Sequence, residues 1–427
     1  MVIEMSMESL FALVDLFWVA KLGSDAVAVV GTTESMLSIL YALAMGVSMA
    51  AAATVARRIG EKQRDAAATA AVQGVLLAVL IAAPLCLFGG WFAPRLLAAM
   101  GTSEATVAAC GGYTRIMFGG NATILLLFVM NAIFRGAGDA AIAMRVLLLA
   151  NGINLVLDPC LIFGWGPFPE LGVEGAAIAT NIGRGIGVLY QLSQLHRVGG
   201  HFRVERRHLR VDPPVLAALT RFSLTGMVQS LVQTSSWIGL VRVLASFGEA
   251  AVAGYTIGIR VIIFGLLPAW GMASAAATMV GQSLGAKDPR RAEQSVWLAG
   301  RFNLAFLGAI GLFFVLAAHW IVGHFTADAS VAAFAVDCLR TISYGFLFFA
   351  FGMVLAQSFN GAGDPWTPTW INLLCFWLFE LPLAWFLARH TALGAAGVFW
   401  AIFASFALFT VVAAVVFRRG KWKRMVV

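Results

Sequence analysis

The chain has 427 residues, 60% of them apolar and only 12% charged, with a formal net charge of +8. No water-soluble domain of this size needs so much apolar surface, and the basic excess is spread through many short loops instead of forming the single patch that binds nucleic acid. The chain reads as an integral membrane protein.

Its polar residues come in short clusters separated by apolar runs of roughly 20–30 residues, long enough to span a bilayer as helices. Backbone groups in hydrocarbon must be satisfied within the segment, so helices are predicted and strands are not. Twelve runs follow one another near 1–20, 30–56, 66–92, 105–134, 140–164, 174–196, 214–246, 250–281, 291–322, 329–359, 366–388 and 395–418. The first carries Glu4, Glu8 and Asp15 and lacks a basic start, which argues against a signal peptide. Basic residues recur in alternate loops: Arg57, Arg58, Lys62 and Arg64, then Arg203 to Arg210, and finally the tail from Arg418 to Arg424. The intervening GPFPELGVEG (166–175) and FTADAS (325–330) carry only acids. This positive-inside pattern puts both termini in the cytoplasm of a multi-pass protein of the plasma (cell inner) membrane. Cys86, Cys110, Cys160, Cys338 and Cys375 show no paired spacing, so neither a disulfide framework nor a metal site is predicted.

Two hexapeptides, FRGAGD at 134–139 and FNGAGD at 359–364, lie 225 residues apart. The same offset pairs Gly23 with Gly248, Gly46 with Gly271, Gly60 with Gly285 and Lys62 with Lys287. The chain is therefore expected to be one unit written twice: an N-lobe over 1–196, a basic cytoplasmic linker over 197–213 and a C-lobe over 214–427. The fold class is all-α, with twelve transmembrane helices in two pseudo-symmetric six-helix lobes. Six is an even number of spans, so both halves enter the membrane in the same direction, as parallel repeats do. Within the hexapeptides, Gly136, Gly138, Gly361 and Gly363 allow tight turns, and Asp139 and Asp364 can cap the helices that follow. An intramembrane aspartyl protease is the alternative from another class, but it needs such an aspartate at membrane depth, and two copies at a loop position fit it poorly. The offset also places the start of the first helix before Met1, so about two to three helical turns are expected to be missing.

Acids inside spans are costly and usually face a cavity or a partner. Asp15, in the first span, and Asp158, in the fifth, have apolar residues on both sides. Asn151, Asn154 and Asp158 follow i, i+3, i+7 spacing and share one helix face, and Pro159 removes a backbone donor beside the acid. An acid, an amide and loosened backbone suit a proton or a small cation. Glu8 shares the face of Asp15. In the second half the equivalents of Asp15 and Asp158 are Leu240 and Leu383, and the seventh span carries Gln229 and Gln233 instead of acids. Glu380, before Leu381 and Pro382, is the nearest analogue of the helix 5 acid. The coupling ion is thus expected in the first half, while Asn151, Glu8, Gln229, Gln233 and Glu380 are candidates for the substrate cavity. Glu34 reads as interfacial, and Asp337 and Arg340 read as a structural pair. No GxxxxGK[ST] motif is present, so no nucleotide is expected to drive the chain. No Ser/His/Asp or zinc-like cluster suggests an enzyme, a cofactor or a resident metal.

The stretches ESLFALVDLFWVAKLGSDAVAVVG (8–31), VARRIGEKQRDAA, VGQSLGAKDPRRA, NLVLDP (154–159) and the paired GAGD turns together resemble the multidrug and toxic compound extrusion (MATE) transporters. The resemblance implies twelve helices in two lobes and export of amphipathic, often cationic, compounds by alternating access against inward H⁺ or Na⁺. It places Asp15, Asn154 and Asp158 on the family's acidic and amide positions in helices 1 and 5, with Na⁺ at these three residues as one possibility, and Thr180 on helix 6 as a polar partner. The lack of acids on helices 7 and 8 departs from members with a second-lobe cation site and favours H⁺. The expected partners are small amphipathic cations and membrane lipid, with no nucleic acid and no nucleotide, and the expected state is a monomer. A lipid-linked oligosaccharide flippase of the wider superfamily is the remaining alternative.

Overall fold

A computed structural model describes residues 17–195 and 203–425. Those residues form helices joined by short turns and loops, with no strand among them. They comprise α1 (Ser24–Gly60), α2 (Arg64–Ala99), α3 (Glu104–Gly119), α4 (Asn121–Gly136), α5 (Ala140–Phe163), α6 (Val173–Gln194), α7 (Pro213–Ala245), α8 (Glu249–Gly285), α9 (Pro289–Gly323), α10 (Ala329–Tyr344), α11 (Phe346–Ala362), α12 (Trp366–Asn372), a wide π-helical stretch (Leu373–Glu380), α13 (Leu381–His390) and α14 (Ala396–Arg418). Among the described residues nine helices are long and apolar enough to cross a membrane, and the pair α10 and α11, bent by 57°, makes a tenth. The 22-residue α6 is more polar, and of the first predicted span all but the end lies outside the described residues.

The helix starts follow from capping chemistry. The Asp288 carboxylate accepts the Arg291 N–H at 2.9 Å, with Pro289 supplying the first helical residue of α9. Asp328 accepts from the Ser330 N–H at 2.8 Å and the Ser330 hydroxyl at 2.7 Å, and these bonds hold its carboxyl below the usual carboxylate range.

The described residues fall into two compact units, one running to Met227 and the other beginning at Val228. The division lies within α7, beyond Pro214 where the sequence places the start of the second half. The reason is local. Gly46 of α1 and Gly226 of α7 face each other, with a Cβ on Gly226 falling 3.1 Å from the Gly46 Cα, so the first half of α7 packs on α1. Each unit has its own core, built in the first around Leu37, Ile124, Phe134 and Val146, and in the second around Ile262, Phe346, Phe359 and Phe399.

The repeat is visible in backbone detail within each unit taken alone. A Cβ on Gly136 would fall 2.6 Å from the Ala52 carbonyl oxygen, and one on Gly361 would fall 2.1 Å from that of Ala277, the same pair 225 residues on. Gly138 and Gly363 take φ of 88° and 90°, and Asp139 and Asp364 donate their N–H groups to Phe134 and Phe359, both at 2.9 Å. The hexapeptides thus do two jobs: the first glycine admits a crossing backbone, and the second makes the left-handed turn. The aspartates differ. Asp364 caps as expected, accepting from the Thr367 N–H at 3.1 Å and its hydroxyl at 2.5 Å, whereas Asp139 makes no side-chain cap. The residue corresponding to Thr367 is Ile142, which has no hydroxyl to hold the carboxylate over the helix end.

Lys62 and Lys287, also equivalent, are the non-glycine residues with positive φ among those described, at 60° and 58°. A side chain in the left-handed region costs energy that glycine avoids. Lys62→Gly and Lys287→Gly should each therefore raise stability by about 1 kcal/mol after the entropy of the glycine is set against the relieved strain. An upward shift in the thermal melt of detergent-purified protein would show it; an unchanged or lower melt would mean that the lysine side chains make compensating contacts.

The chain leading into α7 is held down on the first unit. Buried Gln73 of α2 donates to the Arg210 carbonyl at 2.9 Å and accepts the Asp212 N–H at 3.3 Å. Arg207 pairs with Asp65 at 2.8 Å, and buried His208 accepts the Glu205 N–H on Nδ1 at 3.0 Å. At the other end of the chain, Trp422 is buried against Phe417, to whose carbonyl it donates at 2.9 Å, and Lys423 pairs with Glu293 of α9 at 2.6 Å.

Candidate functional site

The fifth span supplies the centre of the first unit's polar site. α5 is apolar apart from Arg145 near its start and a small polar face, and it continues as α-helix through Pro159. Pro159 has no N–H to give the Leu155 carbonyl, so one backbone acceptor beside the acid is left without its helical donor. Asn154 is 1% exposed and Asp158 is fully buried. Being four residues apart they meet on one face, and the Asn154 Nδ2 donates to Asp158 Oδ1 at 2.9 Å.

α6 brings the third member. Its inner face repeats a small residue every fourth position, Gly175, Ala179, Gly183 and Gly187. Without side chains there, the two backbones come close: a Cβ on Gly183 would lie 2.8 Å from the Ala150 carbonyl oxygen, and one on Gly175 would lie 2.3 Å from that of Leu161. This approach lets short side chains touch. Thr180, 1% exposed, is 3.2 Å from Asn154 Nδ2 and accepts its second hydrogen bond. Asn154 therefore spends its donors on Thr180 and Asp158, and its own Oδ1 finds no hydrogen-bond partner. The result is a buried cluster of oxygens, one of them a carboxylate, held by one amide.

Asn151 lies one turn earlier on α5 and is partly buried. Asp15 and Glu8 lie outside the described residues. Glu34, read as interfacial, is partly buried; the Tyr41 hydroxyl donates to it at 3.4 Å, and the Arg184 guanidinium of α6 is close enough to act on its charge. A further buried pair that the sequence did not single out joins Gln191 of α6 to Asn131 of α4 at 2.6 Å. Its signal was present, since both are amides within apolar runs.

The second unit is arranged differently. Gln229 and Gln233 stand one turn apart on α7; the first is buried and the second partly so. Glu380 is 3% exposed and comes together with Gln233 at one small cavity, which Tyr255, Trp237 and Trp270 also line. The expected pairing of Asp337 with Arg340 is not made: Arg340 donates to the Val315 carbonyl at 3.1 Å and approaches His319 Nδ1 at 3.2 Å. On one helix, side chains three apart can meet, but α9 offers Arg340 a carbonyl and an imidazole as better-placed acceptors. All five cysteines are free thiols, and among the described residues no group of three or more His, Cys, Asp and Glu is placed to hold a metal ion.

A family model, MatE, matches residues 1–160 and 226–386. The chain belongs to the MatE family. The two matched segments cover the two halves of the repeat. Relatives of this MatE chain include a probable multidrug resistance protein, YoeA, of Bacillus subtilis (strain 168), 25% identical over 390 residues that cover 91% of this chain and 84% of that protein. Another is the FAD transporter of Shewanella oneidensis, 27% identical over 376 residues, covering 88% and 83%. Among solved structures, a crystal structure of MATE in the straight conformation superposes with a TM-score of 0.92 at 26% identity, covering 100% of this chain and 95% of that one. The chain accordingly has the all-α MATE fold, twelve transmembrane helices in two lobes, and is a multi-pass membrane transporter of a multidrug-efflux family.

Proposed function

We propose that this MatE chain is a cation-coupled antiporter, driven by H⁺, that exports amphipathic, often cationic, compounds by alternating access. The observation that carries the reading is the buried Asn154–Asp158–Thr180 cluster, a carboxylate fixed by an amide within the membrane. With Asp158 ionised, the Asn154 amide gives it a charge-assisted hydrogen bond. A proton on Asp158 removes that charge, so the cluster binds proton and cationic cargo in competition. Competition becomes transport only if the two conformations bind each with different affinity. Asp15, brought in by the family pattern, is assigned as the partner acid of Asp158. The absence of Asp and Glu from α7, where Gln229 and Gln233 stand, supports H⁺ over Na⁺. The protein is placed in the plasma membrane as a monomer with both termini in the cytoplasm, and it uses no nucleotide.

Everted vesicles carrying the protein test this. With an acid lumen imposed, adding ethidium should dissipate the proton gradient in the absence of Na⁺. A response that requires Na⁺ would keep the family and replace the ion.

A second reading rests on the Shewanella relative, whose name gives a flavin dinucleotide as cargo. The same vesicles distinguish it: FAD dissipating the gradient where a panel of organic cations does not would make an anionic nucleotide the exported species.

A further inference from the structure

Glu380 closes the π-helical stretch Leu373–Glu380, two residues before Pro382. Pro382 cannot donate to the carbonyl four residues earlier, and its ring crowds that turn; the wider helix accommodates both. The widened stretch packs against α14, where the Ser405 hydroxyl donates to the Ala401 carbonyl at 2.8 Å. One Glu380 oxygen, Oε2, is buried and has no hydrogen-bond partner. No ion pair involving Glu380 occurs among the described residues. The carboxyl borders a cavity of about 50 Å³ whose lining includes Gln233, Trp237, Tyr255, Trp270 and Phe376 and contains no Lys, Arg or His.

Three properties of this cavity select its occupant. A buried carboxylate with an open oxygen and no basic neighbour calls for a positive charge. The rings of Trp237, Tyr255, Trp270 and Phe376, set among aliphatic side chains such as Ile262 and Leu266, attract a cation through their negative faces, and such a wall favours one that sheds its water easily. The size is more than the ~10–15 Å³ that one water needs but well below the ~300 Å³ at which drug-sized pockets begin. A whole drug does not fit, whereas one charged head group does. A hard alkali ion would want several oxygen ligands, and the lining offers few beyond Glu380, Gln233 and Tyr255.

We propose that the cavity beside Glu380 binds a single monovalent alkylammonium group, with the Glu380 carboxylate as its counter-charge and the Trp237 and Trp270 rings in its wall. The site belongs wholly to the second unit and stands apart from the coupling role given to Asp158. It would let this lobe recognise the charged end of a cargo molecule although α7 carries no acid.

Calorimetric titration of detergent-purified full-length protein with tetramethylammonium chloride, at constant ionic strength set with NaCl, tests the site. Saturable binding is expected, weakened at least tenfold in Glu380→Gln and several-fold in Trp270→Leu. Equal affinity in wild type and Glu380→Gln would overturn the proposal, as would heat of binding from Na⁺ alone and none from tetramethylammonium. Should Glu380→Gln fail to fold, Trp270→Leu carries the test, because affinity unaffected by that change overturns the aromatic wall. A loss of ethidium-driven proton exchange in vesicles with the binding intact would count against the antiport reading and leave this site standing.

Discussion

Asp158→Asn is expected to leave the protein folded and to lower ion-coupled export to the level of vesicles without the protein, because an amide cannot take up and release the coupling proton. The substitution keeps the size of the side chain and an oxygen at the position that Asn154 Nδ2 now reaches at 2.9 Å. The α5–α6 contact rests on Gly175, Gly183 and Gly187, which the change does not touch. What disappears is the ability to lose and regain a charge. Thr180→Val should be milder, since it removes one neutral acceptor 3.2 Å from Asn154 and keeps the carboxylate. The pair of variants therefore separates the charge from the polar packing. The readout is initial ethidium efflux in vesicles matched for folded protein by size-exclusion chromatography. Asp158→Asn at wild-type rate would remove the cluster from the coupling mechanism.

The largest effect on stability is expected at Gly361. Any Cβ there meets the Ala277 carbonyl oxygen at 2.1 Å, with the Ala277 carbonyl carbon and Cα both at 2.6 Å. All three atoms are backbone, so no side-chain rotation relieves the clash and the two helices must separate. Overpacking of this kind costs about 1–3 kcal/mol in soluble cores, and Gly361→Ala should reach or pass the upper end. Gly136→Ala, with the Ala52 carbonyl oxygen at 2.6 Å, should cost less. Gly363→Ala acts through backbone strain at φ 90° and leaves the helix contact alone. Thermal melts of the three purified variants should rank Gly361→Ala lowest. A melt of Gly361→Ala equal to that of wild type would mean that the helices of the second unit slide apart at no cost.

The repeat was legible in the sequence because close backbone crossings leave glycines, and glycines at a fixed offset are readable without any alignment. Gly136 and Gly361 are such marks. The Asn154–Asp158 contact was legible for a similar reason, as i, i+4 spacing on a helix fixes adjacency. Thr180 could be placed only by resemblance, although the four-residue stripe from Gly175 to Gly187 already pointed to the face on which it lies. The π-helical turn was not legible. LLCFWLFE is apolar up to Glu380, so a helix of wider pitch leaves the hydrophobic pattern unchanged, and only Pro382 hints at it. The difference between Asp139 and Asp364 turned on one hydroxyl, at Thr367, three residues beyond the motif.

The strap over α2 bears on how this protein responds to a protease. If the chain is cut between Leu195 and Arg203, the new amino-terminal end does not swing free. Gln73 still grips both Arg210 and Asp212, and Asp65 still holds Arg207. The first half of α7 also remains seated on α1 through Gly46 and Gly226. A nicked molecule should thus run as two bands in denaturing gels and as one species in mild detergent, which makes this point in the chain a natural place to express the transporter as two separately encoded pieces.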